Sequence, residues 1–528
     1  MMAELRLEKE QLAAENQWLR RQVDLLLRQQ SRRRGRTASG PNAPTSEPST
    51  PKTPTAETQS NGTEPPNNPP PPNSEAASQP DPSNTSRRRG HGRNPADAYQ
   101  PEKTVICNHE SLRPGDRCPN PGCRGRLYDI QDPNVLVQLY GRPPITATRY
   151  EQQVLRCSAC QDRFVAALPS GVAPEKYDAT ADAALALLKY GTGLPWDRLA
   201  RLQAMVGVPL PPSTQFERCE AVADAAHPVY LELQRQAAGG EVICFDDTWV
   251  RILDCLKENQ DRGAAARTGL HTTGMVANLE AADGLPQVVL YESGRRHAGE
   301  NIGKLINQRP PGLGPPILMA DAEFKNWIGD SKRLVAKCLQ HARRKFTEVE
   351  AAFPIETGEV LATFAAIYRN ESQTRGMTPG RRLLYHQEHS APIMAGLRER
   401  LEQQFAAHKV EPNSALGKAM QYVLNHWPGL TCFLREAGAP LDNNLAERVL
   451  KPAVLLRKNA LFYKTQHGAD VGGILMSLIQ TCALNKVNPF EYLVALVRQA
   501  KEVRRDPLAW LPWNYRRRQE AQEEEAAA

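Results

Sequence analysis

Glu241-Val-Ile-Cys-Phe-Asp-Asp-Thr-Trp-Val-Arg-Ile-Leu253 is the stretch on which the fold reading turns. Its β-branched and aromatic residues predict a strand, interrupted by two adjacent aspartates, Asp246 and Asp247. Downstream, His271–Glu280 and Gln287–Glu292 read as two further strands, and a helix follows near Glu300–Asn307. Ile317-Leu-Met-Ala320 is then a short apolar strand behind the breakers Pro315 and Pro316, and Asp321 ends it. Much later, Leu441-Asp-Asn-Asn-Leu-Ala-Glu-Arg-Val-Leu450 puts Glu447 in the opening turns of a helix that Asp442 or Asn443 can cap. Two carboxylates on strands and one on a helix can hold a pair of Mg²⁺ ions about 3.5–4 Å apart. Such a pair stabilises the attacking and leaving oxygens of an in-line phosphoryl displacement. Successive strand residues point to opposite faces, so only one of Asp246 and Asp247 can serve such a site. Glu323 and Asp442 are rival carboxylates to Glu447, although capping accounts for Asp442.

Outside this region the 528-residue chain has room for about three domains. Its formal charge of +7 is modest but unevenly spread. Arg32-Arg-Arg-Gly-Arg36, Arg87-Arg-Arg-Gly-His-Gly-Arg93 and Arg516-Arg-Arg518 are basic clusters suited to phosphate backbone. Eleven cysteines without a secretory apolar region argue against a disulfide scaffold, and no apolar run is long enough to span a membrane. The expectation is a cytoplasmic, nucleoid-associated protein with reduced thiols and no membrane partner.

Residues 1–30 read as a coiled-coil helix, because Leu5, Leu12, Leu19 and Leu26 recur every seven residues, with Asn16 at the facing seam position. Self-association as a homodimer or higher oligomer is expected from it; a free amphipathic helix is the alternative. Residues 31–100, rich in Pro, Ser, Asn and Thr, are expected to be a disordered linker. Within 101–170, Cys118-Pro-Asn-Pro-Gly-Cys123 and Cys157-Ser-Ala-Cys160 give two close thiol pairs, the pattern of a structural Zn²⁺ ribbon. Residues 171–238 form three apolar-periodic runs, with Ser213 as N-cap of the last and Arg218 in its opening turns. They fit a helix-turn-helix-like DNA-binding module or a helical connector.

The segments Asp246-Asp-Thr248, Cys338-Leu-Gln-His-Ala-Arg-Arg-Lys-Phe346 and Leu441-Asp-Asn-Asn-Leu-Ala-Glu-Arg448 resemble, in order, the signatures of insertion sequence 66 family transposases. Arg457-Lys-Asn-Ala-Leu-Phe462, Ser477-Leu-Ile-Gln-Thr-Cys-Ala-Leu-Asn485 and Asn488-Pro-Phe-Glu-Tyr-Leu493 continue the match, so that it runs from about residue 100 to about 515. The resemblance implies an α/β chain with a ribonuclease H-like catalytic core and a large α-helical insertion. The expected parts are 239–330 (first part of the core), 331–438 (an α-helical insertion, with 331–430 helical throughout by composition and periodicity), 439–500 (second part with the glutamate helix) and 501–528 (a basic segment and acidic tail). It further implies an Asp-Asp-Glu transposase with Asp246, Asp321 and Glu447 as catalytic Mg²⁺ ligands (Mn²⁺ may replace Mg²⁺), aligning Asp246 rather than Asp247 with the catalytic position. The DNA would be the element's terminal inverted repeats and its target, with accessory proteins encoded alongside. Arg218, Arg343, Arg344, Lys345, Arg448, Lys451, Arg457 and Lys458 are the candidate DNA contacts. Trp427 is expected in the core, and Cys338 with His341 in a structural or positioning role. A non-catalytic DNA-binding relic or regulator is the alternative function.

Overall fold

The computed structural model describes residues 111–119, 123–128, 144–156, 163–260, 268–279, 286–321 and 334–527. They fall into two compact units, 111–128 in one and 144–527 in the other. The coiled-coil reading of 1–30, the linker reading of 31–100, and Cys157 with Cys160 lie outside the described residues.

In the smaller unit a bridge between Arg117 and Arg126 closes a turn, with Cys118 N donating to the Gly125 carbonyl at 2.9 Å. Cys118 and Cys123 both lie in sequence between the two bridged residues. The Gly125 amide, with Cys118 second, holds the Cys123 thiol below the usual range. In the larger unit, β1 (Val154–Arg156) and β2 (Arg163–Val165) form an antiparallel pair.

The helices α1 (Ala179–Ala186), α2 (Trp196–Met205) and α3 (Pro212–Gly239) follow. The last starts at Pro212, one residue before the expected cap Ser213, because proline fits the first helical position without needing a side-chain acceptor. Cys219, Val222, Ala226, Val229 and Leu233 form its buried stripe at helical spacing.

Then come β3 (Val242–Trp249), α4 (Leu253–Gln260), β4 (His271–Asn278), β5 (Gln287–Gly294), α5 (Ala298–Ile306), β6 (Ile317–Ala320) and β7 (Leu334–Lys337). The strands make one mixed sheet in the order β5-β4-β3-β6-β7, antiparallel from β5 to β3 and parallel from β3 to β7. Two expectations are corrected here. The strand opening the core stops at Trp249, and Leu253 starts a helix. The segment expected to be helical throughout begins with β7, a fifth strand only four residues long, too short to show a period of two.

Beyond it lie α6 (Leu339–Thr347), α7 (Pro354–Gln373), α8 (Pro379–His389), α9 (Ala391–Ala406), α10 (Ala415–Asn425) and α11 (Trp427–Leu430). They do not form a separate core: Phe346, Phe364, Leu397, Met420 and Phe433 share one apolar cluster with Val242, Cys244, Met319 and Ala336 of the sheet. Trp427 packs half-buried against that cluster. The chain ends with α12 (Asn444–Ala460), α13 (Gln466–Leu484), α14 (Pro489–Arg498), α15 (Ala500–Arg505) and α16 (Pro512–Ala527). The three helices α13 to α15 pack against the stripe of α3. No helix among the described residues is long and apolar enough to cross a membrane.

β5 is an edge strand, and α13 supplies what a neighbouring strand would. Ser477 Oγ, Thr481 Oγ1 and Asn485 Oδ1, spaced four residues apart on one helix face, accept from the backbone N–H of Tyr291, Val289 and Gln287 at 2.9, 3.0 and 3.1 Å. One turn earlier stands Gly473, where a Cβ would lie 2.8 Å from the Tyr291 carbonyl oxygen. Edge N–H groups buried under a helix would otherwise lack partners. Thr481→Val keeps the shape and removes the acceptor. It should destabilise the protein by about 1–3 kcal/mol in urea unfolding; an unchanged midpoint would contradict this role.

Candidate functional site

Strand alternation sends Asp246 and Asp247 apart. Asp247 Oδ2 accepts from Ala298 N at 3.2 Å, at the start of α5, with His297 Nδ1 3.9 Å away. A carboxylate there meets the positive end of the helix. Asp246 points to the face that carries Val242 and Cys244. The parallel register pairs Val242 with Ile317 and Cys244 with Met319; carried on by two residues, it sets Asp246 level with Asp321. Glu447 comes from the first turn of α12. Burial pushes the Asp246 carboxyl up to about 6; the charges of Asp247, Asp321 and Glu447 add to this, against the Asp247 amide that donates to it at 2.8 Å. His341, on α6, links the other two acids, its Nε2 lying 3.6 Å from Asp321 Oδ2 and 4.0 Å from Glu447 Oε1. The three carboxylates singled out in the sequence thus meet in space.

Asn443 aligns them, a role that its sequence context does not reveal. It is only 1% exposed, and its Nδ2 donates to the Phe245 carbonyl at 3.0 Å, one residue before Asp246. Its backbone N–H donates to Cys338 Sγ at 3.3 Å, and Leu339 N donates to the Leu441 carbonyl at 3.0 Å. The start of α12 is thereby tied to both β3 and the start of α6. Asn443 stands at the N-cap position, but the side-chain hydrogen bond there comes from Asp442, whose Oδ1 accepts from Asn444 N at 3.1 Å.

Cys338, His341 and Glu447 bring three ligand atoms within 4.8 Å of one another. Burial pushes the Cys338 thiol up to about 11, outweighing the Asn443, His341 and Gln340 amides that pull it down. In the metal-free site this thiol is neutral and accepts the Asn443 amide, which ties α6 to the start of α12. The carboxylates offer the hard oxygens that Mg²⁺ and Mn²⁺ prefer.

Lys337, at the end of β7, meets His426 Nδ1 at 2.7 Å, and both feel the charge of Asp321. Burial depresses both groups, and Lys337 further depresses His426. Neither stands out in the sequence; Lys337 belongs to the unexpected strand, and its partner lies at the far end of the insertion.

The candidate DNA contacts divide by environment. Arg448, Lys451 and Lys458 are exposed along α12, and Arg343 is exposed on α6. Arg344 pairs with Glu348 at 3.2 Å, and Lys345 lies over the Tyr422 ring at 5.5 Å. Arg457 donates to Thr248 Oγ1 and stacks 4.3 Å from the Trp249 ring centre, which fixes it to β3. Arg218 is turned inward: its guanidinium grips buried Asp182, joining α1 to α3.

The sequence model of the family described as "Transposase IS66 family" matches residues 176–471, more than half of the chain, and the chain belongs to that family. It is similar to three uncharacterized proteins of Sinorhizobium fredii (strain NBRC 101917 / NGR234). These are y4jD, 33% identical over 37% of this chain and 39% of that protein; y4hP, 26% identical over 62% and 60%; and y4qI, 30% identical over 38% and 37%. The chain therefore spans less than two thirds of the length of each of these relatives.

Asn443→Ala removes the buried side-chain hydrogen bond that ties the start of α12 to β3 and should lower stability by about 1–3 kcal/mol. Asp442→Ala, which removes a half-buried cap, should cost about 1 kcal/mol. Urea midpoints in the reverse order would contradict the clamp.

Proposed function

We propose that this chain is an Asp-Asp-Glu transposase with a ribonuclease H-like core, which binds the terminal inverted repeats of its insertion sequence and cuts and transfers DNA strands. The observation that supports this best is the meeting of Asp246 with Asp321 and Glu447, the last two linked by His341, in a chain of this family. The donor set fits hard divalent cations, because burial and like charge keep Asp246 near 6 and a bound cation relieves both. Mg²⁺ held there, or Mn²⁺ in its place, supplies the charge neutralisation that in-line displacement at a phosphate requires.

The chain's own residues do the rest. Asp246 and Asp321 are carried on adjacent parallel strands, so their spacing is set by backbone hydrogen bonds. Asn443 fixes the entry of the glutamate helix, and His341 orients the carboxylates of Asp321 and Glu447. Lys337, Arg448 and Lys451 offer positive charge to phosphates near the scissile bond, while Arg343 and Lys458 extend that surface. Arg457 holds the end of β3 in place through Thr248 and Trp249. Cys118, Cys123, Cys157 and Cys160 are read as ligands of structural Zn²⁺ from their paired spacing. A coiled-coil dimer or higher oligomer would bring two DNA ends together, in the cytoplasm on nucleoid DNA, with accessory proteins of the same element as further partners.

Asp321→Asn and Glu447→Gln should each abolish Mg²⁺- or Mn²⁺-dependent nicking of DNA that carries the gene's own flanks. Binding should stay within about threefold of wild type, a change well under 1 kcal/mol. Cleavage retained by either variant would sink the assignment.

A pH dependence follows from Asp246. Below about 6 the metal-free site holds a proton that the cation must displace. The Mn²⁺ concentration for half-maximal cleavage should therefore rise about tenfold per pH unit below 6 and level off above about 7. A flat profile from pH 5 to 8 would contradict this.

A further inference from the structure

On the sheet face that carries Asp246, a cleft of about 740 Å³ opens between α12 and the turn joining α7 to α8. Val242 and Cys244, each only 2% exposed, lie at its base. One wall carries Glu447, Arg448 and Lys451, the other Tyr368, Arg375 and Met377. Glu447 is thus shared between the cleft and the carboxylate cluster.

The lining sets four cations, Arg375, Arg382, Arg448 and Lys451, against three carboxylates, Glu371, Asp442 and Glu447, so one positive charge is in excess. Glu371 in its lining is held by Arg382, with bonds of 3.0 and 3.1 Å, and by His386 at 2.7 Å. Asp442 accepts from the Asn444 amide. Arg375, Arg448 and Lys451 are exposed, and none of them has an ion pair with a described residue. Three such cations converge on a cleft that also holds the half-buried ring of Tyr368. A volume of this order encloses a drug-sized molecule, the size of about one or two nucleotides, and is too small for a duplex. Cations that follow a backbone beside aromatic and apolar surface that takes base faces are how single strands are bound.

We infer that this cleft takes unpaired nucleotides of a DNA strand next to the scissile phosphate, with backbone phosphates on Arg375, Arg448 and Lys451 and a base against Tyr368. The inference rests on the transposase reading for the identity of the strand, and on the cleft itself for its single-stranded state. The insertion then has a role in binding, since α7 and α8 supply the wall that α12 lacks.

The test uses the full chain as Asp321→Asn, with Ca²⁺, and labelled duplexes that are blunt or carry a three-nucleotide 3′ or 5′ overhang. Fluorescence anisotropy should show one overhang polarity bound at least about fivefold more tightly than the blunt end, the worth of one stacked base. Arg375→Glu, in an exposed turn, and Tyr368→Leu should each bring that ratio to within about twofold of one. Tyr368 is half-buried, so its variant counts only if its thermal midpoint matches the parent, whereas Arg375→Glu stands alone. Equal binding of all three duplexes by the parent would overturn the inference, as would a ratio unchanged in Arg375→Glu. Mn²⁺-dependent cleavage by the chain with Asp321 intact tests the transposase reading separately. Cleavage without overhang preference removes the cleft assignment alone, and preference without cleavage leaves the cleft standing and removes the metal assignment.

Discussion

A buried side-chain hydrogen bond ties the two halves of the site together directly beside Asp246. Asn443 and Phe245 lie 198 positions apart, yet the Asn443 amide reaches the β3 carbonyl just before Asp246. Three carboxylates drawn from β3, β6 and α12 repel one another, and nothing in their own chemistry would hold them together. They are held by the parallel backbone register of β3 with β6 and by the Asn443 side chain that anchors α12. The Cys338 thiol and the Leu339 amide bring α6 into the same junction, which places His341 between Asp321 and Glu447.

This arrangement explains why the sheet is so thoroughly covered. The α6–α11 region shares its apolar cluster with one sheet face, so a shift in the insertion is a shift in the floor beneath Asp246. At the opposite edge, α13 satisfies the free N–H groups of β5 through Ser477, Thr481 and Asn485. A sheet closed at that edge cannot slide in register, and a slip of one residue would exchange Asp246 with Asp247. The same helix also anchors α3, which links the N-terminal helices to the core.

Much of this is legible in the sequence. β4, β5 and β6 are long or apolar enough to stand out, and β6 has the limits its apolar run predicts, Ile317–Ala320. Asp246 and Asp321 stand out because they interrupt or end an apolar run, and Glu447 because it follows a helix-capping Asp-Asn-Asn segment. What the sequence hides depends on contacts between distant segments. β7 is four residues and carries no period, so the adjoining helices mask it. Asn443 looks like a cap in sequence, and only the fold shows its side chain turned toward β3. Lys337 and His426 are ordinary surface residues until β7 and α10 bring them together. Arg218 reads as an outward cation; its inward direction depends on Asp182, whose burial local sequence does not reveal.

The central claim is that Asp246, Asp321 and Glu447 hold divalent cations. Anomalous diffraction from crystals soaked in Mn²⁺ tests it most directly. The account predicts manganese peaks coordinated by carboxylate oxygens of Asp246 and Asp321, with Glu447 completing the set and Cys338 Sγ uninvolved. Manganese bound only through Cys338 and His341, or absent from this site at saturating concentration and neutral pH, would contradict it.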